Sequence, residues 1–127
     1  MRMDLEARFS AKLSAFLGLS ALGLVGLLLP LPESTTALRW LLNLAHLPLF
    51  AAWTALLLAL WLAAVGARHA LWVIGTAGVL VALGSESLQS LQPTRLVDPV
   101  DAFSNVAGVG LGLAYGRWRW RARFANV

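Results

Sequence analysis

Residues 41–65 read LLNLAHLPLFAAWTALLLALWLAAV, twenty-five positions without one Asp, Glu, Lys or Arg. About 20 apolar residues suffice to carry a helix through the hydrocarbon core of a bilayer. An open strand in that setting would leave its backbone groups without partners, so such a run is read as a helix. Working outward from it, three further apolar stretches appear, at about 11–29, 70–91 and 99–116. The first ends at Pro30-Leu31-Pro32, and Pro48 lies near the start of the second. The reading is therefore an all-α, polytopic membrane protein: four transmembrane helices in an antiparallel bundle, one domain over residues 1–127.

Composition agrees. Of the 127 residues, 59% are hydrophobic and 13% charged, against about a quarter charged in soluble globular chains. A chain this short could not hide so many leucines from water in a single core. The +4 balance could suggest nucleic acid, but Arg117, Arg119, Arg121 and Arg123 crowd one end, and no basic face or recognition helix surrounds them. Nucleic acid is set aside on that ground. With no cysteine, disulfides and thiolate metal sites are excluded.

Arg2, Arg8 and Lys12 precede the first stretch as the basic region of a signal peptide would. The apolar run is longer than a signal core, however, and no A-x-A-like site follows it, so it is read as a retained helix. Orientation follows from loop charge. The N-terminal segment, Arg68 in the second connection and the four C-terminal arginines put eight basic residues on one side, against Arg39 and Arg95 on the other. The positive-inside rule then sets both termini in the cytoplasm. The alternating Arg117-Trp118-Arg119-Trp120-Arg121 tail reads as an interfacial anchor, and Trp40, Trp53, Trp61 and Trp72 as interface or packing residues.

Polar residues inside the apolar stretches carry the functional question. Glu86 and Gln89 lie one turn apart, Glu86 about 7 Å below the end of its helix. An ionised, unpaired carboxylate at that depth costs a few kcal/mol, so it should be protonated, paired or facing a wet cavity, about as translocon scales imply. Asp98-Pro99 has the form of an N-cap followed by proline at the first helical position. Asp101 then meets the free amides and positive dipole end of the same helix. Asp98, Asp101 and Asn105 share a face that Gly108, Gly112 and Gly116 continue; with Ser104 these glycines form a small-xxx-small packing ridge. Asn43 and His46 open the second helix on the same side of the membrane. His46, Glu86, Gln89, Arg95, Asp101 and Asn105 are thus expected to converge near the outer interface, with Arg95 as partner to Glu86 or Asp101.

One arginine, carboxamides and carboxylates suit a polar head group, that of a membrane lipid or a lipid-linked precursor. If the chain is an enzyme, Glu86, His46 and Asp101 are the acid–base candidates. Ser85, Ser87 and Ser90 flank Glu86, yet a serine nucleophile needs a placed base, and only His46 is available. A metal held by His46, Glu86 and Asp101 matches no ligand spacing, so no metal and no cofactor is expected. Oligomeric state is not encoded in any motif.

The series Glu86-x-x-Gln89-x5-Arg95-x-x-Asp98-x-x-Asp101-x-x-x-Asn105-x-x-Gly108 resembles the signature of VanZ-like membrane proteins. In that family an E..Q block closes one helix and a D...N..G block opens the next. An earlier D-K-x-x-H-F element is matched here by His46 alone, with Leu42, Asn43 and Leu47 at the other places. The resemblance covers roughly residues 33–113. It implies a bacterial inner-membrane protein of the cell envelope, associated with tolerance of the glycopeptide teicoplanin. It implies no particular reaction.

Overall fold

In a computed structural model of the chain, residues 2–28, 36–91 and 99–125 are described, with side chains for 6–26, 41, 44–91 and 99–125. Five helices account for nearly all of them: α1 (Arg2–Leu28), α2 (Thr36–Ala64), α3 (Ala70–Gln89), α4 (Pro99–Arg119) and the single turn α5 (Arg121–Phe124). There is no strand among the described residues. Spans within α1 (Glu6–Gly26), α2 (Leu44–Ala64) and α3 (Ala70–Gln89) are long and apolar enough to cross a membrane. The helix of α1 begins nine residues ahead of the expected apolar stretch, because the charged segment before it continues the same turns. α2 passes through Pro48 without interruption, although the ring lacks the N–H that would bond four residues back.

α4 falls short of the apolarity of the other three. Its position supplies the reason. It lies between α2 and α3 with Asn105, Gly108, Val109, Gly112 and Gly116 buried. A Cβ added at Gly108 would lie 2.5 Å from the Leu47 carbonyl oxygen, and one at Gly112 would lie 2.5 Å from that of Ala51. Gly116 meets the Leu58 side chain at the same separation. Three successive turns of α4 therefore press backbone against α2, with residue numbers rising together: the two helices run parallel. Only glycine permits this approach, which recurs at helix–helix contacts in membranes. On its other side α4 meets α3, where the numbers run in opposition: Gly78 packs on Val109 and Gly75 on Leu113. The face that α3 offers is Ala70, Ile74, Gly78, Ala82 and Glu86, one residue every four.

Between α2 and α3 the chain reverses in five residues. Gly66 takes a φ of +111° and its amide reaches back to the Trp61 carbonyl at 3.2 Å, a left-handed helix end that costs glycine little. Just inside that turn Leu58, Leu62, Ala70 and Ile74 form the apolar core, and Trp120 and Phe124 pack onto it. The tail turns back onto the bundle: the helix breaks at Trp120, and Arg123 Nη1 donates to the Leu62 carbonyl oxygen at 3.0 Å. A cation there answers the negative end of the α2 dipole. Trp118 alone among the tail aromatics stays largely exposed. α1 is held most lightly. Its Phe16 ring stacks at 5.4 Å on Trp53, whose Nε1 donates to Ser20 Oγ at 2.9 Å.

Candidate functional site

At the end of the α2–α3–α4 core opposite the arginine tail, the apolar packing gives way to hydrogen bonding. Glu86 extends the small-residue row of α3 by one more turn, so the row that lets α4 approach also aims the carboxylate at it. Asn105 sits on the buried face of α4, one turn before Gly108. The two meet: Asn105 Nδ2 donates to Glu86 Oε1 at 2.8 Å, with Glu86 6% and Asn105 1% exposed. A weaker contact of 3.5 Å joins the same amide to Ser85 Oγ. An amide–carboxylate bond of this kind is charge-assisted when the carboxylate is ionised, and contributes about 1.5–3 kcal/mol in soluble proteins. The other half of the carboxamide is less well served. Asn105 Oδ1 is buried with no hydrogen-bond donor among the described residues, an arrangement that costs free energy unless a donor arrives.

The remaining expected residues group around this pair to different degrees. Gln89, one turn beyond Glu86, is half-buried, as is Asp101, one turn before Asn105. His46, also half-buried, immediately precedes Leu47, whose carbonyl abuts Gly108. It therefore lies within about one helical turn of the level of Asn105. So Glu86 and Asn105 touch, and His46, Gln89 and Asp101 occupy the same end of the core. Arg95 and Asp98 lie outside the described residues, as do the side chains of Arg39 and Asn43.

The serines beside Glu86 are committed to their own helix. Ser85 Oγ donates to the Ala82 carbonyl at 2.7 Å, Ser87 Oγ to Leu83 at 3.1 Å and Ser90 Oγ to Ser87 at 2.7 Å. Their protons point at backbone oxygens rather than at a general base, which leaves Glu86, His46 and Asp101 as the groups able to move a proton. No group of three or more His, Cys, Asp or Glu able to hold a metal ion occurs among the described residues.

Two polar contacts, at half-buried Ser85 and buried Thr54, were not anticipated. Ser85, noticed only as a possible nucleophile, is the second acceptor for the Asn105 amide. Thr54 is fully buried against Gly112, with no partner for Oγ1 among the described residues. A signal for Thr54 existed: it is the one hydroxyl-bearing residue of the run 49–65.

Comparison with protein-family models, with curated proteins and with solved structures finds no match to this chain.

Proposed function

We propose that the chain is a VanZ-like integral membrane protein of the bacterial inner membrane that binds the head group of a lipid or a lipid-linked envelope precursor. Its four helices α1–α4 cross the bilayer with both termini cytoplasmic. The eight-to-two distribution of basic residues supports that orientation. So does the hydrogen bond from Arg123 to the end of α2, which brings the basic tail beside the turn containing Arg68. The polarity of α4 is compatible with a span because Asn105 is buried against α3, and Gly108, Gly112 and Gly116 against α2.

The observation that carries the binding reading is the half-used carboxamide of Asn105. Its N–H side is occupied by Glu86 while its buried oxygen has no donor among the described residues. A ligand hydroxyl or ammonium group would supply one. Gln89, Asp101 and His46 share that end of the core, and Arg95, expected there from the sequence, suits a phosphate or carboxylate. A link to glycopeptide tolerance would follow from occupancy of an envelope precursor. Testing it requires the joint substitution Glu86→Gln with Arg95→Ala in protein that keeps its thermal midpoint. Loss of binding to envelope lipids in vesicles is expected; unchanged binding and an unchanged envelope phenotype would refute the proposal.

A second reading is favoured by the Glu86–Asn105 bond itself: the polar residues clamp α3 to α4 and do nothing else. In that case activity and thermal stability fall together across substitutions at positions 86 and 105. Function lost at full stability rejects the clamp.

A further inference from the structure

Away from the Glu86 end, a groove of about 650 Å³ runs along the outside of the α3–α4 contact. Leu71, Trp72 and Arg117 line one end, and Leu80 and Val106 the other. Midway, Gly110 leaves its floor open, for a Cβ built there meets nothing within 4 Å. Because α3 and α4 are antiparallel, Trp72 and Arg117 stand at the same level. From Val106 to Arg117 the groove follows α4 for about 16 Å at 1.5 Å per residue. Half the hydrocarbon thickness of a bilayer is about 15 Å. The groove therefore has the depth of one leaflet, mainly apolar with Thr76 on its wall, and carries a single cation at its mouth.

We propose that this groove holds one acyl chain of an anionic phospholipid whose phosphate is bound by Arg117, in the leaflet that receives the basic tail. Charge complementarity selects this occupant. A guanidinium offers a phosphate two parallel donors, and the exposed Trp72 beside it suits the head-group level. Arg119 and Arg121 add positive potential at that end, while the described acidic residues of α3 and α4, Glu86 and Asp101, lie at the other. A second copy of the chain fits less well. Two-fold pairing about the membrane normal would bring two Arg117 side chains to one level, where like charges repel. The inference rests on α3 and α4 lying in the bilayer and is independent of ligand binding at Glu86.

Nanodiscs of equimolar phosphatidylglycerol and phosphatidylcholine supply the test, with lipids retained by the purified protein counted by native mass spectrometry. The unsubstituted chain should retain phosphatidylglycerol in preference. Arg117→Gln, which removes a bidentate charge-assisted phosphate contact, should lower that preference about tenfold or more. Arg119→Gln, which changes the same net charge outside the groove, should lower it at most about fivefold, the factor equivalent to one basic residue at a membrane surface. Gly110→Leu, filling the floor, should reduce retained lipid of both kinds. Equal effects of Arg117→Gln and Arg119→Gln would overturn the proposal in favour of diffuse surface charge. So would the absence of any preference in the unsubstituted chain. A doubled mass abolished by Gly110→Leu, with lipid retention unchanged, would assign the groove to a second copy instead.

Discussion

α1 and α4 make opposite use of their composition. α1 is apolar and its candidate span has none of its residues buried by the rest of the chain. α4 is interrupted by Asp101, Ser104, Asn105 and a column of glycines, and it is the helix that α2 and α3 enclose. In lipid the solvent is as apolar as a leucine side chain, so hydrophobicity does not decide which helix goes inside. Close packing and hydrogen bonds decide it. The helix least suited to facing lipid becomes the centre.

Glycine substitutions offer the sharpest attack on that contrast. Gly112→Leu should destabilise the protein by about 3 kcal/mol or more, because the Cβ alone would lie 2.5 Å from the Ala51 carbonyl oxygen and α2 must move away. Gly23→Leu in α1, where a Cβ meets nothing within 4 Å, should change stability by less than about 0.5 kcal/mol. Thermal unfolding in one detergent measures both; comparable losses would erase the distinction between the helices. Next in size, Asn105→Ala removes the amide donated to Glu86 and should cost about 1–3 kcal/mol. Combined with Glu86→Leu, which removes the acceptor, it should show a coupling above about 0.5 kcal/mol in a double-mutant cycle; additive losses would mean the bond contributes nothing.

Arg123→Gln should lower stability by about 1 kcal/mol through the lost contact to the end of α2. Faster amide exchange near residues 62–66 would locate the effect. The smallest change belongs to α1: Ser20→Ala deletes the acceptor for Trp53 Nε1 and should cost about 0.6 kcal/mol, typical of interhelical bonds in membranes. Tryptophan fluorescence would report the altered environment of Trp53. A loss as large as that of Asn105→Ala would show α1 to be bound far more firmly than its few contacts imply.

The long charge-free runs made the helices legible, since length and apolarity determine what can cross a bilayer. The reach of α1 back to Arg2 was not, because charged residues at a helix end neither stop it nor extend the apolar signal. Spacings of three and four placed Asp101, Asn105, Gly108, Gly112 and Gly116 on one face of α4, and the glycine ridge packs as those spacings imply. What spacing could not supply was the partner: nothing in the local pattern indicates that Gly108 and Gly112 meet α2 in parallel rather than α3. The Glu86–Asn105 contact was legible only as a shared end of two helices, its geometry depending on the register between them. The turn of the tail at Trp120 depended equally on a distant acceptor, the Leu62 carbonyl. Pairings between helices are written in shapes that only assembly brings face to face.

α4 follows in synthesis the two helices that enclose it. Until it arrives, the faces of α2 and α3 that it will cover stand open, and Glu86 lacks the amide that Asn105 brings. A ribosome-bound intermediate therefore differs from the finished protein by one uncovered acid on the third helix. Anything that surveys nascent chains for exposed acids would see that mark vanish when α4 packs in place.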